Sequence, residues 1–372
     1  MVKLGTVISQ AKNIRCGEHN YPVLSMTMHD GLIFQDDKFK KVIASANRSE
    51  YKVVYRNQLV VSFPIDEGVL AAQRITDVGI VSPAYTIWDI DQAKILPEFL
   101  EYALRCDRSI NYYKAKLRGS TARRRSLPTP TLLEHTIPLP AIDAQRYILE
   151  IIHKSRNVLE TRKIQLQKLD MLVRARFVEM FGDENNSKNW NVVNVEDVAD
   201  VQVGVVIKPS QYYTDESEGV RAFRSLNIGA GFIKDIDWVY FTKEGHLKNS
   251  KSILKENDLL IVRSGAPGTA CVVTEEYAGC NAVDIIIAHP DCEKVNPYYL
   301  CTFTNMPHGK KQIDEGIGGA AQQHFNVGKY NKLQLMLPPK TLQDEFGDFI
   351  NQVDKSKLQY HPHTHTCQPN TS

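Results

Sequence analysis

Between Arg108 and Leu133 the chain has no acidic residue, yet it carries Arg108, Lys114, Lys116, Arg118, Arg123, Arg124 and Arg125, with Tyr112 and Tyr113 among them. The segment Arg118-Gly-Ser-Thr-Ala-Arg-Arg-Arg125 joins a helix end to a loop. Gly119 lets a ligand approach the backbone, and Ser120 and Thr121 can donate to phosphate oxygens. Arg118, Arg123, Arg124 and Arg125 can grip phosphates or pair bidentately with a guanine edge. A solvated basic loop without a ligand is the plainer reading. About two hundred residues on, Gly316-Ile-Gly-Gly-Ala-Ala-Gln-Gln-His324 is a similar Gly-rich stretch without arginine. Gln322 and Gln323 suit an adenine edge, and His324 can donate to a phosphate or a guanine. Arg263-Ser-Gly-Ala-Pro-Gly268 is a further candidate through Arg263 and Ser264, with Ser62-Phe-Pro64 as its counterpart. An ordinary hairpin turn explains that segment equally well.

Reaction chemistry is poorly represented. Asn296-Pro297-Tyr298-Tyr299 approaches the Asn-Pro-Pro-aromatic motif of amino-methyltransferases but lacks the second proline. Its counterpart is Leu96-Pro97-Glu98-Phe99, so helix initiation accounts for both. Pro290-Asp291 and Glu293-Lys294 contain the letters of a nuclease site, with the carboxylates too close in sequence to come from two strands. No Gly-rich loop follows a strand to hold S-adenosylmethionine, and no Gly-x-x-x-x-Gly-Lys-Ser/Thr serves ATP. The expectation is a chain with no catalytic residues. His361, His363, His365 and Cys367 have metal-binding side chains, but in a polar, unanchored tail they read as disorder, so no metal site is expected.

These segments must be positioned by a chain of 372 residues, enough for two or three domains. Its 42% apolar and 24% charged residues are those of an ordinary globular protein. No apolar run reaches the roughly 20 residues of a membrane helix. Met1–Gln10 lacks the apolar core of a signal peptide. Seven scattered cysteines with no Cys-x-x-Cys spacing argue against a disulfide framework or a structural zinc site. A reducing cytoplasm is the default expectation. The net charge of +2 hides an asymmetry: residues 1–142 hold 19 Lys and Arg against 14 Asp and Glu, whereas residues 182–341 hold 16 against 20. A nucleic-acid partner is permitted for the first half and not demanded by the second.

The strongest organisational signal is duplication at a period near 200 residues. Ser25, Gly31 and Ile33 recur as Ser225, Gly231 and Ile233, and Asn57-Gln58-Leu59 as Asn257-Asp258-Leu259. Pro97 and Leu100 recur as Pro297 and Leu300, and Gly119-Ser120 faces Gly318-Gly319. Leu139-Pro140 with Gln145 recurs as Leu337-Pro338 with Gln343. Such a period implies two copies of a whole domain rather than a solenoid. Short strands are expected at Val53–Tyr55, Gln58–Phe63 and Gly79–Ser82, and at Asp258–Arg263, Ala270–Thr274 and Val283–Ala288. Helices are expected at Glu98–Leu117 and Tyr298–Ile313. The fold class is therefore α+β, with domains at residues 1–142 and 182–341.

Residues 143–181 contain neither Gly nor Pro, which predicts a helix of about 60 Å. Asp143 is the candidate N-cap and Gly182 the stop. Ile152, Leu159, Leu166, Val173 and Met180 recur every seven residues, with Ile148 and Leu169 beside them, giving half a heptad seam. Leu342, Phe346, Phe349, Ile350 and Val353 follow the second Leu-Pro-(four)-Gln at helical spacing. They predict a shorter helix over 342–358, about 25 Å long, before a disordered tail at 359–372.

This order resembles the specificity subunit of type I DNA restriction-modification systems: globular domain, Leu-Pro-(four)-Gln, long helix, second globular domain, Leu-Pro-(four)-Gln, second helix. The resemblance covers residues 1 to about 355. It implies two target-recognition domains separated by antiparallel, coiled-coil-like spacer helices. Each domain would read one half of a bipartite double-stranded DNA target. The helices would set the spacing and dock the methyltransferase subunits, with restriction and translocase subunits beyond them. S-adenosylmethionine, ATP and Mg would belong to those partners. The distal helix is shorter than the family pattern, which leaves the apolar seam around Ile148, Ile152 and Leu159 without a partner in the chain. Two other classes compete with this reading. One is a fragment of a self-contained methyltransferase-nuclease, and the other is a structural helical dimerisation scaffold.

Overall fold

A computed structural model describes residues 1–28, 30–38, 48–117, 127–316 and 325–360. It divides into two compact units, residues 1–160 and 161–372, with the division inside one long helix. In the first unit, β1 (Ile8–Gln10), β2 (Leu59–Val61), β3 (Leu70–Ala72) and β4 (Thr86–Ile90) form an antiparallel sheet in the order β1-β4-β2-β3. Alternate residues of a strand point to opposite faces. Leu59, Val61, Leu70 and Trp88 accordingly pack against the helical side. Val60, Ala71 and Ile87 face the hairpin formed by Leu24–Thr27 and Gly31–Phe34. Both faces are covered, which is why Leu59-Val-Val61 is apolar without alternation.

The second unit repeats this plan. Strands β5 (Ala199–Val203), β6 (Leu259–Val262), β7 (Ala270–Val272) and β8 (Ile285–Pro290) assemble in the order β5-β8-β6-β7. Leu259, Ile261, Val272 and Ile286 line one face, and Leu260, Val262, Cys271 and Ile287 the other. The repeated sequence marks have local causes. Asn57 and Asn257 both have positive φ, at 68° and 72°, a conformation asparagine tolerates better than most residues. They make the same bond, to the carbonyls of Gln73 and Val273. The next position has diverged in polarity: Gln58 ties to Asp89 at 2.6 Å, whereas Asp258 ties to His289 at 2.5 Å.

Each expected helix after the strands is two helices. In the first unit, α1 (Pro97–Arg105) gives way to α2 (Asp107–Lys116) at Cys106, with ψ 158°. In the second, α4 (Pro297–Asn305) gives way to α5 (Pro307–Gly316) at Met306, with ψ 165°. Pro307 disfavours a helical conformation at the residue before it, so the break was written in the second copy. Each unit closes with a short antiparallel pair, Val2–Lys3 with Thr136–Ile137 and Asn191–Asn194 with Gln334–Leu337.

The long helix α3 spans Ile142–Phe181, 40 residues and about 60 Å. Gly182, at φ 89°, ends it and donates to the Val178 carbonyl. The second helix, α6 (Lys340–Tyr360), has 21 residues, longer than expected because the turn begins at Pro339. Within the second unit α6 runs antiparallel to the end of α3. Phe346 meets Phe177 and Phe181 at ring distances of 5.4 Å, while Lys357, eleven residues on, reaches back to Asp170 at 2.9 Å. Val173, Phe349, Ile350 and Val353 join this core. Each such large apolar side chain contributes about 1.5–3 kcal/mol on burial.

Candidate nucleic-acid interface

The junction between each globular domain and its helix rests on one buried glutamine. The Gln145 carboxamide accepts from the Leu96 N–H at 2.8 Å and donates to the Lys94 carbonyl at 2.9 Å and the Pro140 carbonyl at 2.8 Å. Gln343 repeats the pattern with the Asn296 N–H at 2.8 Å, the Pro338 carbonyl at 2.8 Å and the Lys294 carbonyl at 3.5 Å. Both side chains are fully buried. This is the physical content of the duplicated Leu-Pro-(four)-Gln motif. One amide clasps the loop before α1 or α4 to the first turn of the following helix. On the first helix the clasp is extended by Leu149 in the core, His153 on Glu98 at 2.9 Å, and Arg156 over the Tyr102 ring at 4.8 Å. Burial alone would raise the Glu98 carboxyl, but the hydrogen bond from His153 and the charge of Arg74 hold it below its ordinary value.

The heptad positions divide by place. Val173 packs in the second core, whereas Ile148 is 37% exposed and Leu159 70%. Ile152, Leu166 and Leu169 are half-buried. The residue that points into the first core is Leu149, outside the heptad rows.

Of the loop residues chosen from sequence, Arg118, Ser120, Thr121, Arg123, Arg124 and Arg125 lie outside the described residues, as do Gln322, Gln323 and His324. Their anchors are described. In the first unit α2 delivers the chain at Leu117, and Leu127 resumes against the same core. Lys114 and Lys116 on the last turn of α2 are exposed and make no ion pair among the described residues. Tyr112 and Tyr113 do not belong to the basic surface. Tyr112 donates to the Thr131 carbonyl at 2.9 Å and fully buried Tyr113 to that of Leu104 at 3.2 Å. Burial pushes the Tyr113 phenol well above its ordinary range.

In the second unit the described residues on either side of 317–324 are held. Lys329 donates to the Gly316 carbonyl, and the Phe325 N–H to the Arg263 carbonyl at 3.1 Å. Arg263 is not a free cation. It is ion-paired with Asp284, its Nε donates to the Phe325 carbonyl at 3.4 Å, and its side chain is 18% exposed. In the fold it holds the chain at Phe325, a structural role that the sequence expectation of a DNA contact did not include. Ser264 is half-buried at the start of the adjoining turn. Lys310 of α5 donates to the Pro267 carbonyl of that turn at 2.9 Å, and burial lowers its ammonium below the usual value. In the first unit the position of Arg263 is taken by Phe63, 49% exposed and edge-on to Tyr85.

The same end of the second sheet collects a segment that sequence reasoning passed over. Val203 ends β5, and the Gly204 N–H donates to the Ile285 carbonyl at 2.9 Å. Val205 donates to Ala282 at 2.8 Å and accepts from Asp284 at 3.1 Å. Val201-Gln-Val-Gly-Val-Val-Ile207 reads as a strand, and only Gly204 and the Lys208-Pro209 stop mark where it leaves the sheet.

The catalytic look-alikes have structural uses. Asn296 caps α4, accepting from the Tyr298 N–H at 2.9 Å. Asp291 closes a turn on the Glu293 N–H at 3.1 Å and pairs with Lys294 at 3.2 Å, as Asp91 does with Ala93 and Lys94. Among the described residues no group of His, Cys, Asp or Glu is arranged to hold a metal ion, and no helix is long and apolar enough to cross a membrane. The tail residues His361, His363, His365 and Cys367 lie outside the described residues.

Comparison with known proteins agrees with this architecture. Residues 187–363 match the family described as the type I restriction modification DNA specificity domain. The type I restriction enzyme MjaVIII specificity subunit of Methanocaldococcus jannaschii is 27% identical over 241 residues, 59% of this chain and 55% of that protein. The match therefore spans about half the length of that relative. Two solved structures share the fold. The S subunit of a type I restriction-modification system from M. genitalium gives a TM-score of 0.52 at 14% identity, covering 96% of this chain and 90% of that one. A chain from a structure of complex assembly and conformational transition in the type I system gives 0.55 at 16%, covering 96% and 92%.

Proposed function

We propose, from the chain's similarity to specificity subunits of type I DNA restriction-modification systems, that it is such a subunit and that each unit reads one half of a bipartite double-stranded DNA target. The observation that carries this is duplication with divergence. The two units share sheet order and glutamine clasp, yet differ in the chemistry they bring to equivalent loops. The first offers the basic segment around Arg123, Arg124 and Arg125, and the second offers Gln322, Gln323 and His324 on a loop held by Arg263. Phosphate contacts position a protein on DNA and base-edge contacts specify the sequence. Two such loops of different chemistry suit two different half-sites.

In this reading α3 and α6 set the half-site spacing and dock methyltransferase subunits, with restriction and translocase subunits completing the complex. S-adenosylmethionine, ATP and Mg act on those partners, and this chain contributes recognition without catalysis, in the cytoplasm. The helical capping role of Asn296 weighs against a methyltransferase fragment. Residues 1–142 can be exchanged for the corresponding domain of a relative, and the chain co-expressed with its methyltransferase subunit. Mapping of methylated adenines should then show one half of the target changed and the other retained. Both halves changing together would refute the two-reader proposal.

A further inference from the structure

We infer that the segment Val206–Lys208 is a second DNA-reading element of the second unit, with Ile207 as an apolar base contact and Lys208 as a phosphate contact. The inference rests on the DNA-recognition reading above and adds specificity residues to it. Ile207 is 80% exposed, more than any other large apolar side chain among the described residues, and Val206 and Val203 beside it are 47% and 37% exposed. Single exposed apolar residues are ordinary. Three within five positions, on a segment anchored at both ends, are not.

The fixing is specific. Val205 forms a parallel bridge with Val283, and a side chain at Gly204 would collide with the Ala282 carbonyl. On the far side Lys208 adopts φ 44° before Pro209 opens a short helix. The tip is therefore anchored on both sides, and its apolar side chains face water. Its anchor leads directly into the loop machinery: Val205 accepts from Asp284, Asp284 pairs with Arg263, and Arg263 holds Phe325 at the base of loop 317–324. The apolar tip and Phe325, where the chain is described again after residue 324, thus share one end of one sheet. Apolar side chains read DNA by contact with the thymine methyl. Lys208 is exposed and makes no ion pair among the described residues, so it brings a free cation to a unit that is acidic overall.

The test uses the full chain co-expressed with its methyltransferase subunit, comparing wild type with Ile207→Ala, Ile207→Asn and Lys208→Ala. Leu247→Ala, 70% exposed on the separate helix Lys243–Lys248, serves as the control. Mapping of methylated adenines should show Ile207→Ala and Ile207→Asn relaxing one A·T position in one half-site, by about tenfold in discrimination. The other half-site should be retained. Lys208→Ala should lower methylation evenly across sites. Thermal melting that matches wild type establishes that the variants fold. Identical methylation by wild type and the Ile207 variants would overturn the inference while leaving the two-reader proposal standing. Loss of methyltransferase co-purification with unchanged site choice would also overturn it, making the tip a protein contact. Wild-type methylation without discrete bipartite sites would instead remove the reading on which the inference rests.

Discussion

Replacing Gln145 by Met keeps side-chain length and burial but removes three hydrogen bonds. The Leu96 N–H and the carbonyls of Lys94 and Pro140 are then left at a fully buried position. An orphaned buried polar group costs about 1–3 kcal/mol, and a net bond contributes about 0.5–1.5. With partial relaxation of the Lys94–Leu96 loop, the expected destabilisation is about 2–4 kcal/mol. For a unit of this size each kcal/mol shifts the melting temperature by about 2–4 °C, so the shift should be about 5–15 °C. Gln343→Met should cost less, because its contact to Lys294 is 3.5 Å where the Gln145 counterpart is 2.9 Å. Calorimetry of the full chain gives the two destabilisations, and amide hydrogen exchange assigns each to its unit. Exposed Gln167, replaced by Met, supplies the baseline. Effects below about 0.5 kcal/mol at both sites, the floor for a single net hydrogen bond, or a larger effect at Gln343, would show that the clasp does not hold the helices to their domains.

Arg123, Arg124 and Arg125 changed together to Ala should flatten the salt dependence of DNA binding, by close to one log–log unit for each phosphate no longer neutralised. An unchanged slope with relaxed selectivity would assign them to bases. Ile152→Glu with Leu159→Glu should abolish self-association of the isolated chain at micromolar concentration, read by sedimentation, because Leu159 is 70% exposed on an apolar seam. A wild-type chain that is already monomeric would contradict this. The lowered Glu98 carboxyl stabilises the folded state above its ordinary value of 4.5, and that contribution disappears as pH falls through the depressed folded value. The melting-temperature gap between wild type and Glu98→Gln should therefore be present at neutral pH and close as pH falls below 4.5. A gap constant with pH would mean that the His153 and Arg74 contacts do not act through charge.

Much of the architecture was legible because it was written twice. The duplicated Asn57 and Asn257, the two prolines at helix starts and the two glutamines each correspond to a local conformation that admits few residue types. The long helix was legible from the absence of Gly and Pro. What escaped was whatever depends on partners distant in sequence. Arg263 reads as a DNA-contact candidate from sequence, and its pairing with Asp284, twenty-one residues on, shows only in the fold. Tyr112 and Tyr113 lie among the basic residues in sequence, yet their hydroxyls reach backbone carbonyls. The helix break at Cys106 has no proline to announce it, and its counterpart at Met306 was passed over although Pro307 follows it. Ile207 was hidden by its own neighbours, since an apolar run predicts burial regardless of where the chain turns.

The short antiparallel pairs that close each unit have a consequence for inheritance. Val2–Lys3 lies against Thr136–Ile137, and Asn191–Asn194 against Gln334–Leu337, so the chain comes into each domain beside the point where it leaves. A segment bounded in this way can be cut out and replaced by another of similar ends without moving the helix outside it. The glutamine clasp, identical in kind at both junctions, would accept either. Crossovers falling between the clasp and the strand pair would then exchange whole domains and leave the helical frame intact.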